Sequence, residues 1–483
     1  MLKSKGLNES EKYLIELCEK SFLSMWSYGN IFYSQSKELA DLLIICGNDI
    51  IIFQDKVSLF QEKNHISLGW SRWFRNAVYD GAKQAWRAER LLKNKSTNLY
   101  LDPSCKTKLQ IAFPSNEDMT LHLIVVAHGG SEKCKEFLDG SGSFMINSGV
   151  KGIEAHTKPF IIGDLDESKT FVHVLDDTTL KILIQTLDTI TDFISYLSKK
   201  EVLLRSEKTI LAAGEEELLA NYLKNFINGG HNFSFGYEED LEMILIDEGG
   251  WNNFANNPQR LEKIKHDRIS YAWDDLIELF ARHASEGTQY LIPGFNSASG
   301  IFDTERIIRF MAKETRFARR VLISSIKDML SRTRKDERMV RVIPSFVEDR
   351  TYYVFLLFPI VGTLTYDQYR EVRLWFLQKT CMVVKNMYSQ ARHIVGIATE
   401  SGLDHQQRSE DAIYLDASIW SPEMSIEARR FQNDFDVLKN YKSIHKHYME
   451  YPSTLLQKEF SKNPRNKKCP CGGAKKYKKC HGK

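Results

Sequence analysis

Residues 37–56, KELADLLIICGNDIIIFQDK, constrain the fold more than any other stretch of this chain. Leu39 to Ile45 and Ile50 to Phe53 are apolar runs of strand length, separated by Cys46-Gly47-Asn48-Asp49. Gly, Asn and Asp tolerate positive φ cheaply, so the run predicts a β-hairpin. Side chains alternate faces along a strand, which puts Gln54 and Lys56 on one face and Asp55 on the other. A turn at Gly47-Asn48, or a four-residue loop, sets Asp41 across from Gln54; a turn at Asn48-Asp49 sets it across from Lys56. Both registers gather Asp41, Gln54 and Lys56 on one face at the open end of the hairpin. A three-residue loop sets Asp41 against Asp55 instead.

A carboxylate, a second oxygen ligand and a lysine in one place suit a hard divalent cation and the activation of water. The oxygens hold the metal, and the ammonium stabilises charge developing on a phosphate or lowers the pKa of the attacking water. The pattern of Asp41, a turn, an apolar strand and Gln54-Asp55-Lys56 resembles the PD-(D/E)xK nuclease superfamily in its Gln-x-Lys variant. Gln54 is a neutral ligand where many members carry Glu. The resemblance implies an α/β fold, a restriction-endonuclease-like mixed sheet flanked by helices, and phosphodiester hydrolysis of DNA or RNA. It also implies Mg2+ or Mn2+ on Asp41 and Gln54, with help from the backbone carbonyl of Asp55 and with Lys56 polarising the water. The ordinary alternative is a core hairpin with polar ends.

The flanking segments extend the reading. Residues from Glu9 to about Tyr28 have a helical apolar stripe of Leu14, Leu17, Cys18 and Met25, with Asn8 or Ser10 as cap. Related nucleases often carry a supporting glutamate on such a helix; Glu16 is the choice over Glu19. A second helix is expected over about Gly69 to Lys93. On it Arg72, Arg75, Lys83, Arg87 and Arg90 recur at three- and four-residue steps and form one broad basic face. Such a face suits phosphate contacts, and it also suits a solvated surface with ion pairs to Asp80 and Glu89. Gln84 stands where related nucleases sometimes place an extra polar site residue. The hairpin and this helix also resemble a group of bacterial proteins without an agreed activity, which implies a bacterial source and no chemistry.

Further strands are expected at Leu99 to Leu101, Leu109 to Phe113, Leu121 to Ala127, Phe160 to Ile162 and Phe171 to Leu175, then an amphipathic helix from Asp177 or Thr178 to about Ser198. His128, His173, Asp176 and Asp177 form a possible metal or acid–base cluster, although a half-buried histidine beside a strand is more often structural. The expected organisation is a nuclease-like domain over 1–205 and a mainly helical region over 206–335. A small second α/β domain over 336–455 and a zinc knuckle over 463–483 follow. Residues Phe302 to Ser331 read as one long basic helix. No phosphate loop, dinucleotide fingerprint or nucleophile elbow occurs in the sequence.

Charge sharpens the partner question. The net charge is only +3 over 483 residues, and from Ser461 onward nine Lys and Arg stand with no acid. The body is therefore slightly acidic, so any nucleic-acid contact must come from local patches. The scattered Cys18, Cys46, Cys105, Cys134 and Cys381 suit reduced thiols. With no apolar run long enough to cross a bilayer and no leader-like start, a cytoplasmic location without a membrane span is expected.

The tail, KKCPCGGAKKYKKCHGK, carries Cys469, Cys471, Cys480 and His481 as Cys-x-Cys, an eight-residue basic loop and Cys-His. Four such ligands close a tetrahedral zinc site, and so short a segment folds only on binding the metal. It is very similar to the SEC-C motif, with Gly472-Gly473-Ala474 in place of the usual Gly-Ser-Gly. That resemblance implies docking to a protein or ribosome partner. The sequence as a whole reads as a metal-dependent nuclease with a zinc-binding docking tail, and bacterial restriction or phage defence is the role expected of it. The alternative is a noncatalytic adaptor that binds a protein, ribosome or nucleic acid through that tail.

Overall fold

The hairpin turn is Gly47-Asn48. Gly47 takes φ +66°, and the ladder on either side runs from Cys46 opposite Asp49 to Leu42 opposite Phe53. This is the register in which Asp41 falls beside Gln54.

The computed structural model describes residues 3–61, 65–94, 98–109, 111, 113–224, 233–235, 241–288, 300–360, 362–402, 408–443, 446, 448–452, 466 and 476. They divide into two compact units, Met1–Asn256 and Asn257–Lys483. Among the described residues no helix is long and apolar enough to cross a membrane.

The first unit opens with α1 (Glu9–Phe22), whose cap Asn8 accepts the amide of Glu11 at 2.9 Å. Next come β1 (Ser27–Ser34), β2 (Lys37–Cys46) and β3 (Asp49–Val57), an antiparallel meander. The expected helix thus ends earlier, and Tyr28 lies in β1. A helical segment follows as α2 (Ile66–Trp73), a π-helical turn (Phe74–Tyr79) and α3 (Asp80–Leu92). The chain then enters β4 (Thr120–His128), which pairs parallel to β3. After α4 (Ser131–Leu138), β5 (Met145–Lys151) and β6 (Ile161–Asp164), strand β7 (Val172–Asp176) joins β4 in parallel. The main sheet has the order β1-β2-β3-β4-β7.

Both faces of this sheet are covered, which is why β2, β3 and β4 are almost continuously apolar. On one face Ile50 and Ile52 pack with Trp70, Trp73, Ala77 and Ala82 of the α2–α3 segment. On the other, Phe53 stacks on Phe193, which also meets Phe22 of α1. Phe193 belongs to α6 (Ile190–Leu204), which follows α5 (Thr179–Thr186). The single helix expected from Asp177 to Ser198 is therefore two, because Thr189 caps α6 by accepting the amide of Asp192. A second sheet, β6-β5-β8-β9, takes in β8 (Thr209–Ala212) and β9 (Met243–Ile246), with α7 (Glu215–Lys224) between them and α8 (Gly250–Ala255) after.

In the second unit, α9 (Pro258–Asp267), α10 (Tyr271–Glu286), α11 (Gly300–Lys313) and α12 (Arg316–Arg332) precede a four-stranded sheet. The long helix expected from Phe302 to Ser331 is broken where Thr315 caps α12. The sheet is β10 (Met339–Pro344), β11 (Thr351–Phe358), β12 (His393–Glu400) and β13 (Asp411–Asp416), with β11 and β12 parallel. Between them α13 (Tyr366–Met387) starts with a capping box of Thr365 and Gln368, and α14 (Pro422–Phe435) follows β13. The stretch expected as one helical region, 206–335, is thus shared: its first part completes the second sheet of unit one, and its helices α9 to α12 belong to unit two.

Candidate functional site

The open end of the β2–β3 hairpin is built by a substitution in the ladder. Beyond Leu42 and Phe53 the side chain of Asp41 takes the place of a backbone acceptor, its Oδ2 receiving the Asp55 amide at 2.6 Å. Lys56 Nζ stands 3.7 Å from the same oxygen. Gln54 Nε2 donates to the carbonyl of Leu39 at 3.1 Å, which leaves the amide oxygen as its potential ligand atom. Asp41 and Gln54 are buried, whereas the Lys56 side chain keeps 22 % of its surface. The three residues named from the hairpin pattern are therefore close together.

More carboxylates surround them than the hairpin pattern suggests. Asn30, held at φ +47°, donates through Nδ2 to Glu11 Oε2 at 2.9 Å and to Glu38 Oε1 at 2.8 Å. Burial pushes the Asp41 carboxyl up to about 6 against the opposing pull of Lys56 and the Asp55 amide, and the charges of Glu11 and Asp55 add to the rise. Burial also pushes Glu38 up to about 7, opposed by the Asn30 hydrogen bond and raised further by Asp41 and Glu11. A crowd of acids that repel one another around one lysine is a place where positive charge is wanted. On α1 it is Glu11 that enters this network; Glu16 is exposed on the outer side of the helix. Strand alternation points Glu38 away from Asp41, but irregularities between Ile31, Phe32 and Ser34 shift the β1–β2 register at this end. Alternation alone therefore could not find Glu38.

Asp55, on the opposite side of β3, is fixed by His128 at the end of β4. His128 Nε2 lies 2.8 Å from Asp55 Oδ1, and Nδ1 lies 2.6 Å from Asp177 Oδ1. Burial lowers the imidazole pKa, but the hydrogen bonds and charges of Asp177 and Asp55 win and raise it to about 9. Ser10 Oγ sits 3.0 Å from the same Nε2, which gives the outline of a serine–histidine–aspartate triad. The chemistry argues otherwise. A doubly paired imidazolium holds its Nε2 proton on Asp55 and has no lone pair with which to take one from serine. The group ties the ends of β3, β4 and β7 to the start of α1. Of the four residues read as a possible cluster, His128 and Asp177 come together. His173 is buried against Phe171, its pKa driven well below the ordinary value by burial. Asp176 accepts the amides of Phe144, Thr178 and Thr179 and holds the start of α5.

No family model, curated protein or solved structure matches the chain. The site has to be read from its own chemistry. Among the described residues no three His, Cys, Asp or Glu side chains converge into a ready-made metal centre. Arg72, Arg75, Lys83, Gln84, Arg87 and Arg90 are all exposed on the outside of the α2–α3 segment. Lys83 pairs with Asp80 at 2.6 Å, and Arg87 donates to the Tyr33 hydroxyl at 2.8 Å, so these two are partly engaged. The α3 helix meets the site through Gly81: a Cβ there would lie 2.9 Å from Val125 and 3.2 Å from Cγ of Lys56. The tail residues Cys469, Cys471, Cys480 and His481 lie outside the described residues.

Proposed function

We propose that the first unit is a metal-dependent phosphodiesterase domain, a nuclease of the PD-(D/E)xK type, serving a bacterial defence role such as restriction of phage. The observation that carries this reading is the approach of Lys56 to Asp41 at the hairpin mouth, beside Gln54 and within a carboxylate cluster raised toward neutrality. Two features add support. The core runs helix, three-stranded meander, helix, parallel strand, and the exposed arginines follow directly on the Lys56 strand.

The atoms that would hold a hard divalent ion are the second oxygen of Asp41 and the amide oxygen of Gln54, while Glu38 and Glu11, tied to Asn30, add surrounding negative charge that a cation relieves. Mg2+ or Mn2+, when bound, supplies neutralisation of these acids and polarisation of a phosphate oxygen. The protein's own groups do the rest. Lys56 aims its side-chain nitrogen at charge growing on the phosphate, and Asp41 holds Lys56 in place. Asp55, anchored by His128, fixes the backbone on which both Gln54 and Lys56 sit. The basic face of α2–α3 holds the phosphodiester backbone. Purified protein incubated with labelled DNA or RNA and Mn2+ should cleave it, and Asp41→Ala should not. Cleavage that persists in Asp41→Ala would remove this site from the chemistry.

A second reading keeps the fold without the activity. It draws on the lack of a ready-made three-ligand group among the described residues. On that reading the zinc tail, through Cys469, Cys471, Cys480 and His481, docks the chain to a protein or ribosome partner as an adaptor.

A further inference from the structure

The second unit carries a feature that the nuclease reading does not use. A cleft of about 670 Å³ opens at the end of its sheet where β11 and β12 begin and β13 ends. Its lining includes the basic residues Arg350, Lys385, Arg392 and His393, and among the described residues that line it none is acidic. In a protein with 63 acids against 66 bases, such a one-sided lining is a local choice of charge.

The charges are also held ready. Lys385 is buried, and its ammonium donates to the carbonyls of Ser389 at 2.7 Å and Ala391 at 2.8 Å. That leaves one N–H for another acceptor. The Arg350 side chain pairs with its exposed neighbour Asp349 at 3.4 Å, a contact worth little in water. Asp416 faces His393 across the β12–β13 ladder and offsets it, so the phosphate-binding charge of the cleft rests on Arg350, Arg392 and Lys385. The first turn of α14, which carries Glu423 and is capped by the Ser421 side chain, borders the cleft through Ser425. Ser425 also accepts Trp420 Nε1 at 2.7 Å, which fixes the indole in the wall.

We propose that this cleft binds a nucleoside phosphate, its phosphate on Arg350, Arg392 and Lys385 and its base against Trp420. The volume lies within the usual range for small-ligand sites. Guanidinium groups suit the phosphate oxygens, and an indole face suits a planar base. The ligand is either a free nucleotide or the phosphorylated end of a strand. The inference is independent of the hairpin site, since the residues belong to different units.

The test is calorimetric titration of the full chain in low salt with ADP, adenosine and inorganic phosphate. A second series uses a short oligonucleotide with a 5′-phosphate and the same oligonucleotide with a 5′-hydroxyl. ADP should bind, adenosine should bind far more weakly, and Arg350→Ala/Arg392→Ala should weaken ADP at least tenfold at an unchanged melting temperature. Both arginines are exposed, so the double variant is expected to fold. Trp420→Leu should weaken ADP while leaving inorganic phosphate unchanged. Stronger binding of the phosphorylated oligonucleotide than of ADP assigns the strand end; the reverse assigns the free nucleotide. No ADP binding at millimolar concentration, or equal binding by wild type and the double variant, overturns the proposal. Asp41→Ala should bind ADP as wild type does, which separates failure here from failure of the nuclease reading.

Discussion

At the scale of single residues, the site is a set of ionisable groups held away from their ordinary behaviour. Asp41 is the clearest case. Its folded pKa of about 6 lies above the ordinary 3.8, so the folded state penalises the charged form. That penalty is complete above about pH 6 and fades as the pH falls toward 3.8. Asp41→Asn keeps the acceptor for the Asp55 amide and removes the charge. In metal-free buffer at pH 8 it should stabilise the protein by about 1–3 kcal/mol in urea unfolding, with the gain gone near pH 4. A variant no more stable than wild type at pH 8 would contradict the electrostatic picture. His128 behaves in the opposite sense. Its folded pKa of about 9 lies above the ordinary 6.5, so the stabilisation is complete below 6.5 and is lost as the pH rises through 9. His128→Gln should cost about 1–2 kcal/mol at pH 6, a figure reduced because Asp177 is partly exposed, and the gap should narrow by pH 9.5. A gap independent of pH would mean that His128 contributes packing and no charge.

At the scale of elements, the hairpin was legible because turn-forming residues separate two apolar runs of strand length, but its register was not: several turns fit Cys46-Gly47-Asn48-Asp49, and strands buried on both faces carry no alternation to choose among them. The parallel strand β4 was legible for a similar reason, as an apolar run bounded by polar residues. Other elements were not. Strand β5, with Asn147, Ser148 and Gly149 at its centre, has little strand propensity and is held by pairing to β6 and β8. The breaks at Thr189 and Thr315 depend on caps that compete with helix periodicity, and periodicity alone runs through both. Glu38 was hidden by the irregular end of β1–β2, and Glu11 by its position in the first turn of α1, where a capping role is the simpler reading. The π-helical turn Phe74–Tyr79 lies directly before Gly81, where α3 comes closest to Lys56. Gly81→Val should push the helix off Val125 and Lys56, cost about 1–3 kcal/mol and reduce cleavage more than Gly81→Ala does. Equal cleavage by the two variants would show that Lys56 does not depend on this contact.

At the scale of the whole molecule, the chain joins two units with different chemistry: acids gathered round a lysine at Asp41 in the first, bases gathered in an open cleft at Arg392 in the second. The basic tail adds a third element that lies outside the described residues, and only its composition speaks for it. Purified wild-type protein should carry about one zinc per chain, lost in Cys469→Ser/Cys471→Ser. Metal-free wild type would refute the knuckle. Removing zinc should leave cleavage of naked nucleic acid in place, because the tail is assigned to docking. Lys56 is the most direct probe of the hairpin site. With Mn2+ and labelled DNA and RNA, wild type should cleave at least one of the two. Lys56→Ala, assayed well below its melting temperature, should be slower by about 10²–10³, in line with loss of one preorganised donor at a developing charge. No cleavage of either substrate by wild type, or cleavage by Lys56→Ala at the wild-type rate, would contradict it.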